Sequence, residues 1–145
     1  MVLSGAPQAT AKQYGVKAIP RMAWGKIRRE MGPADLFISG GGGLLQDVTS
    51  WRSPLYYLGL IWLAKRRGLK TAVIFQGIGP LRRSWLKKLT GKILRRVDLI
   101  AVRDEASARM LAAMGLPAEK IQVGVDAVWL LEPASSDSQP FDFAQ

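Results

Sequence analysis

Few residues of this chain could carry out acid–base or nucleophilic chemistry, because its 145 residues include neither histidine nor cysteine. The chain therefore has no thiolate nucleophile, no disulfide and no imidazole base, and we predict no metal site. Proton transfer would fall to carboxylates, lysines or tyrosines. The catalytic candidate is Asp47, which follows four consecutive glycines and could activate a hydroxyl group, although an acid in that position more often caps the next turn.

Two glycine-rich segments follow apolar runs, as loops do at the ends of buried strands. Residues 40–43 are all glycine and follow the run 35–39, while the sequence QGIGP at 76–80 follows the run 71–75. Glycine lets a backbone approach a ligand closely, so the amides of such loops can bind sugars or phosphates. Neither segment has a complete G-x-G-x-x-G or Gly-Lys-Ser/Thr pattern, which disfavours a dehydrogenase or a phosphate-loop enzyme.

Apolar runs alternate with amphipathic segments along the chain, which predicts a Rossmann-like, doubly wound parallel α/β sheet. Strands are predicted at 2–5, 16–20, 35–39, 71–76, 98–102 and 121–126, and helices at 6–14, 24–31, 53–67, 82–96 and 105–114. Ser53 is predicted to cap the third helix, which we expect to be buried on nearly every side. This domain spans residues 1–132, and the Pro-, Ser-, Asp- and Gln-rich residues 133–145 are predicted to be a linker or disordered tail.

Ligands of open parallel sheets bind beyond the carboxyl ends of the strands, where polar or flexible residues follow four of the predicted strands. We expect these residues to bind substrate: Gly41, Gly42, Gly43, Gln46, Gln76, Gly77, Gly79, Arg103, Asp104 and Asp126. Simpler interpretations stay open for each group. The glycines could make tight turns, Asp104 could cap the following helix, and Asp126 could be a turn residue.

The formal net charge of +10 is concentrated in one part of the chain, because no acid lies between Asp47 and Asp98. Such a field attracts phosphates, nucleic acid or an anionic membrane, although a basic helix is more often a solvated surface. The predicted anionic-surface contacts lie on the helix 82–96: Lys87, Lys88, Lys92, Arg95 and Arg96. Nucleic-acid binding is disfavoured, because no motif is present and the aromatics at 51, 56, 57, 62 and 85 are expected to pack in the core.

Four segments, taken together and in order, resemble the polysaccharide pyruvyl transferases, most closely their CsaB type. They are ISGGGGLLQD at 38–47, RSPLYYLG at 52–59, QGIGPL at 76–81 and VDLIAVRDE at 97–105, and the resemblance covers roughly residues 34–132. It implies transfer of the enolpyruvyl group of phosphoenolpyruvate, a co-substrate, to a sugar of a cell-wall or exopolysaccharide precursor, with no other cofactor. It also implies two Rossmann-type halves that face each other as in the GT-B glycosyltransferases.

By that likeness the chain is the acceptor-side half without its first βα unit, and the donor half, with its histidine and basic residues, is missing. We therefore expect it to be inactive alone. The implied acceptor is a lipid-diphosphate-linked or polymer-precursor sugar, which suits a cytoplasmic protein at the inner membrane face. Gly43 stands where family members often have a hydroxyl or amide residue. The alternatives are a non-catalytic phosphosugar- or membrane-surface-binding module, or half of a split enzyme.

Overall fold

The computed structural model describes residues 1–126, so the predicted tail and the end of the predicted domain lie outside the described residues. The strands are β1 (Val2–Ser4), β2 (Ala18–Pro20), β3 (Leu36–Gly40), β4 (Lys70–Gln76), β5 (Leu99–Val102) and β6 (Ile121–Val123). The helices are α1 (Pro7–Tyr14), α2 (Trp24–Glu30), α3 (Arg52–Arg66), α4 (Ser84–Leu94) and α5 (Glu105–Ala113), with a 3₁₀ turn at Ala118–Lys120.

The strands form two parallel sheets in which β1 pairs with β2, and β3, β4, β5 and β6 pair in that order. Ile38 is opposite Ala72, and Ala72 is opposite Leu99, so the carboxyl ends of the four strands lie along one edge. The predicted α/β fold, with parallel strands flanked by helices, is therefore confirmed and is Rossmann-like.

Two connected clusters of apolar side chains hold the helices on one face of the sheets. The larger cluster packs residues such as Ile61, Leu86 and Leu111, from α3, α4 and α5, against Val73 and Ile100 of the sheet. The smaller cluster joins α2 and α3 to β2, with Phe37 of β3 packed against both clusters. As a result α2, α3, α4 and α5 lie on one face, and the loops at the strand ends are held by a common core.

Two predicted helix starts are wrong. Helix α3 begins at Arg52, and the residue at its cap position, Trp51, makes no side-chain capping bond. Ser50 accepts the Arg52 amide instead, at 3.2 Å, so Ser53 is not the cap. Helix α4 begins only at Ser84, because Arg83 before it is extended and the amides of Arg82 and Arg83 donate to another loop.

The predicted burial of three tryptophans is also wrong. Trp51, Trp62 and Trp85 are 38%, 43% and 48% exposed. Trp51 and Trp85 contact each other edge to face, with ring centroids 6.1 Å apart, and the Arg66 guanidinium lies 5.1 Å from the Trp62 ring. Helix α3 buries one side against the sheet and its neighbours, but the side that carries Trp62 faces solvent. Because the sequence of this helix is apolar on nearly every side, the pattern does not show which side is buried and which is exposed.

Candidate functional site

Two loops lie side by side at the carboxyl ends of β3 and β4: the glycine loop, residues 40–47, and the second loop, residues 77–83. Backbone hydrogen bonds join them: the Gly77 amide donates to the Gly42 carbonyl at 3.0 Å, and the Gly79 amide to the Leu45 carbonyl at 3.2 Å. The Asp47 amide donates to the Pro80 carbonyl at 3.3 Å. The loops therefore continue the pairing of the strands beyond the sheet and form one wall.

The Asp47 carboxylate fixes the far end of this wall. Its side chain is fully buried and accepts hydrogen bonds from the Arg82 amide at 2.7 Å, the Arg83 amide at 3.1 Å and the Arg83 guanidinium at 3.3 Å. The Arg82 amide is the main cause of a lowered pKa for Asp47, which the Arg83 contacts lower further while burial opposes them. A carboxylate that accepts several hydrogen bonds is held in its charged form.

This geometry does not favour Asp47 as a general base. Such a base needs a free oxygen within reach of the substrate hydroxyl and a pKa near the working pH. Both Asp47 oxygens are already occupied, the side chain is shielded from solvent, and its pKa is shifted in the opposite direction. The structure therefore supports a structural role, as a clamp between loops and not as the cap of the turn that follows.

The exposed part of the wall is the backbone around Gly42 and Gly43. The Gly41 amide donates to the Ile74 carbonyl at 3.0 Å, but the amides of Gly42 and Gly43 donate to no group within residues 1–126. Gly41 and Gly42 both have φ of +68°, a backbone conformation that residues with a side chain rarely adopt. Gly42 and Gly43 are exposed. Of the three predicted glycines, two thus present free donors to a ligand, whereas Gly41 does not.

The glycines of the second loop make room for two polar side chains. A methyl group on Gly77 would lie 2.6 Å from the Arg103 guanidinium, and one on Gly79 would lie 2.4 Å from Cβ of Gln46. Arg103 and Gln46 therefore pack directly against backbone that has no side chain. This places both predicted polar residues on the wall, and it gives Gly77 and Gly79 a packing role that the sequence analysis did not identify.

Arg103, which follows β5, contacts two acids, Asp104 beside it and Asp126 beyond the end of β6. Its Nε donates to Asp104 at 3.1 Å and its Nη1 to Asp126 at 3.5 Å. Asp104 also accepts the Ser107 amide at 2.7 Å and so caps α5, which confirms the capping alternative. The pKa of Asp104 is lowered, chiefly by Ser107 and further by Arg103.

Ser107 is a site-building residue that the sequence analysis missed. Its buried hydroxyl accepts the Ile78 amide at 2.8 Å and thereby ties the start of α5 to the second loop. The only sequence signal is a serine three residues after a capping aspartate, which indicates a helix start. Nothing in that pattern points to a partner 29 residues earlier in the chain.

Gln76 lies beneath the loops as a buried amide. Its Nε2 donates to the Ser39 hydroxyl at 2.8 Å, while its Oε1 has no partner within residues 1–126. The residue before it, Phe75, has φ of +56°, which is uncommon for a side chain of that size. A buried acceptor without a donor is unfavourable, so a water or a ligand hydroxyl would stabilise this position.

The five predicted anionic-surface residues are exposed and lie on α4 or just after it, outside the two loops. Lys87, Lys88 and Lys92 are on α4, and Arg95 and Arg96 follow its end. The exposed tryptophans of α3 and α4 share this helical layer, and a groove between the two helices is lined by Trp62, Lys65, Arg66, Ile93 and Arg96. Within residues 1–126, no helix combines the length and apolar character needed to cross a bilayer.

We expect the Asp47→Asn substitution to lower the free energy of unfolding by about 1–3 kcal/mol at pH 7, because an amide NH₂ would oppose a backbone donor. The folded-state pKa of Asp47 is lowered, so its contribution is present above the unfolded pKa and is lost as pH falls towards the folded value. The difference between wild type and variant should therefore shrink below about pH 4. Urea unfolding at neutral and acidic pH measures this difference.

The control is Asp35→Asn, because Asp35 is exposed and its side chain makes no ion pair within the described residues. We expect this variant to unfold like the wild type at both pH values. A fully stable Asp47→Asn variant would contradict the role of Asp47 as a clamp.

The family model described as polysaccharide pyruvyl transferase matches residues 2–141 of the 145 residues. Searches of curated proteins and of solved structures find no match. The matched region contains the glycine loop, the second loop and the Arg103–Asp104 pair described above. The chain therefore belongs to the polysaccharide pyruvyl transferase family.

Proposed function

We propose that this chain is the acceptor-binding half of an enzyme that builds a pyruvate ketal on a sugar of a cell-wall or exopolysaccharide precursor. Two hydroxyl groups of the sugar add to C2 of phosphoenolpyruvate, and the bond from C2 to the phosphate oxygen breaks. One hydroxyl proton converts the methylene group to methyl, and the other leaves with inorganic phosphate. Membership of the pyruvyl transferase family supports this reaction class.

The observation that carries the acceptor assignment is the pair of exposed amides at Gly42 and Gly43, which have no partner in the described part of the chain. The Gly42 carbonyl accepts the Gly77 amide, and the Arg103 guanidinium packs on Gly77, so amide donors and a cation belong to the same wall. Backbone amides and guanidinium groups bind phosphate oxygens well. A sugar linked to a diphosphate would present such oxygens, and its hydroxyls would bond the Gln46 amide, while the buried Gln76 amide supports the loops from beneath.

The co-substrate site is assigned to a donor half that faces this wall in a GT-B-like arrangement. The chain has no histidine, whereas the resemblance assigns one to phosphoenolpyruvate handling, so we propose that the chain is inactive alone. No further cofactor is proposed. A non-catalytic phosphosugar-binding module is the alternative, and it differs in one respect. Only a true half-enzyme would release phosphate from phosphoenolpyruvate once a donor half is supplied.

The layer formed by α3 and α4 is proposed to rest on the anionic inner face of the membrane that carries a lipid-linked acceptor. Each Lys or Arg near anionic lipid contributes about 1 kcal/mol. Exposed tryptophans suit the headgroup region, and Trp51, Trp62 and Trp85 all lie on this layer. The combination of exposed indole rings and cations on one layer supports a lipid surface over a helix that is only solvated, because tryptophan is enriched at membrane interfaces.

We expect Gly43→Ala to weaken binding of a short-chain prenyl-diphosphate sugar about tenfold, which corresponds to 1.4 kcal/mol. The added methyl would lie 3.4 Å from the Gln46 side-chain amide, a contact that the loop can tolerate. It would also lie beside the backbone amides proposed to bind the ligand, and it would therefore hinder the ligand's approach. Titration calorimetry measures the affinity, and thermal unfolding reports whether the fold is kept. The same titration with phosphoenolpyruvate should show no binding to this chain.

Gly25→Ala is the matched control, because no atom lies within 4 Å of its added methyl and the residue is on α2. It should bind the sugar diphosphate like the wild type. Unchanged affinity in a folded Gly43→Ala variant would contradict the assignment, as would a chain that binds phosphoenolpyruvate but not the sugar diphosphate.

Replacing Lys87, Lys88 and Lys92 by Gln should reduce co-sedimentation with phosphatidylserine-containing vesicles at low salt by about tenfold or more. Three cations at about 1 kcal/mol each would be lost from the proposed contact surface. The control replaces three other exposed basic residues, Lys12, Lys26 and Arg109, and carries the same change in net charge. Equal loss in both variants would indicate non-specific attraction and contradict the proposed membrane face.

A further inference from the structure

The groove between α3 and α4 lies at the ends of these helices that are farther from the two loops. It has a volume of about 360 Å³, and its lining is Trp62, Lys65, Arg66, Ile93 and Arg96. Helix α3 follows the glycine loop and ends at Arg66, while α4 follows the second loop and ends at Leu94. At about 1.5 Å per helical residue, the groove therefore begins about 15 Å along α3 from the wall of the candidate site.

The cations that line this groove differ in whether they are already neutralised. The Lys65 ammonium donates to both oxygens of Asp98, at 2.9 Å and 3.1 Å. This bond is the main cause that lowers the pKa of Asp98 to about 2, against the effect of burial, so the pair stays charged at neutral pH. The guanidinium groups of Arg66 and Arg96 make no hydrogen bond or ion pair with any group in residues 1–126. Two positive charges of the groove are therefore uncompensated in this part of the chain.

The Arg66 guanidinium is positioned by the aromatic ring beside it. Its central carbon lies 5.1 Å from the centroid of the Trp62 ring, on the same side of α3. A guanidinium that stacks on an indole keeps its N–H groups available for a ligand, and the contact restricts its motion in advance. Arg95 differs, because its guanidinium donates to the Gly91 carbonyl at 3.3 Å and so serves the end of α4.

The groove has an apolar part as well as a cationic one. Ile93 is 9% exposed and belongs to the larger core cluster, whereas Trp62 is 43% exposed beside it. A site for a free phosphate needs no apolar surface, but a phospholipid presents glycerol and acyl carbons next to its phosphate. Indole rings are enriched at this depth of a bilayer, between the headgroups and the acyl chains. The combination therefore favours a lipid over a soluble anion.

We propose that this groove binds the headgroup of one anionic phospholipid whose phosphate is a monoester, as in phosphatidic acid. Phosphate monoesters of proteins carry a charge of about −1.5 to −2 at pH 7, and a lipid monoester of similar charge would match the two uncompensated guanidinium groups. Arg66 and Arg96 would donate to its oxygens, and Trp62 would contact the glycerol carbons. This lipid is the one that the proposed membrane face would select, so the site rests on that part of the proposed function.

A lipid in this groove would also orient the candidate site. Trp51 and Trp62 are separated by about three helical turns and so project from the same side of α3. Trp51 contacts Trp85 at the other end of the layer, close in sequence to the clamp at Asp47. Lipid contacts at both ends would lay α3 and α4 along the bilayer surface. The strand-end wall would then lie at that surface, where a lipid-linked sugar presents its diphosphate.

Titration calorimetry with dihexanoyl phosphatidic acid, kept below its critical micelle concentration, tests the groove without a membrane. We expect saturable binding of one lipid per chain. Replacing Arg66 and Arg96 together by Gln should weaken this binding at least about tenfold, because charge-assisted bonds to phosphate are lost. Glycerol 3-phosphate, which has the phosphate without acyl chains, should bind at least about tenfold more weakly than the lipid. Dihexanoyl phosphatidylglycerol, a diester with one charge, should also bind more weakly.

Two variants are the controls. Arg28→Gln combined with Arg67→Gln removes the same charge from exposed residues that do not line the groove, and it should bind the lipid like the wild type. Gly43→Ala alters the proposed acceptor wall and should also leave lipid binding unchanged. Thermal unfolding should show that every variant keeps its fold, because the substituted arginines are exposed.

Four results would overturn the proposal. Equal losses in the two double variants would indicate non-specific attraction, and equal affinity for glycerol 3-phosphate would indicate a site for a soluble phosphate. Weaker lipid binding by Gly43→Ala would place the lipid at the acceptor wall, and the absence of saturable binding would exclude a lipid site. Lys87, Lys88 and Lys92 do not line the groove, so the vesicle experiment tests the membrane face separately from this site.

Discussion

The buried carboxylate of Asp47 is the interaction on which the candidate site depends. It joins two loops that are 35 residues apart in sequence by accepting the Arg82 and Arg83 amides, and the carboxylate itself is shielded from solvent. A buried charge is stable only when its hydrogen bonds are satisfied, so the two loops and the carboxylate must be ordered together. The Gly42 backbone is held directly by the Gly77 amide, and the Asp47 clamp fixes the other end of the same wall.

The other contacts of the site also join separate segments, either where a glycine leaves room for a neighbouring side chain or where a side chain bonds the backbone of another loop. Gly77 and Gly79 allow Arg103 and Gln46 to lie against the second loop, and Ser107 ties that loop to α5. Each contact joins segments from different strand ends, which is why a crevice forms there. Within residues 1–126, the Gly42 and Gly43 amides have no partner and belong to the same wall as the Arg103 guanidinium, a set that suits an anionic, hydroxyl-rich acceptor better than proton transfer.

Features with a local cause could be predicted from the sequence. Alternating apolar runs and amphipathic segments determine the parallel α/β fold, and glycine clusters after buried runs mark the loops at the strand ends. Asp104 follows β5 directly and caps the next helix, a relation within three residues. Features that depend on distant partners could not be predicted. The sequence around Asp47 and Ser107 indicates only local helix or turn caps. The apolar surroundings of Trp62 in the sequence predict a core position, and only the packing of α3 shows that it is exposed. The groove between α3 and α4 is visible only once the packing of these helices is known.

The central claim is that Asp47 fixes the wall before any ligand binds, and amide hydrogen exchange at Arg82 and Arg83 in the ligand-free chain tests it most directly. Both residues are exposed and precede α4, so without the clamp their amides should exchange at nearly the rate of an unstructured peptide. The structure predicts protection comparable to that of the neighbouring strand β4. Exchange at the unstructured rate in a folded chain would contradict the account.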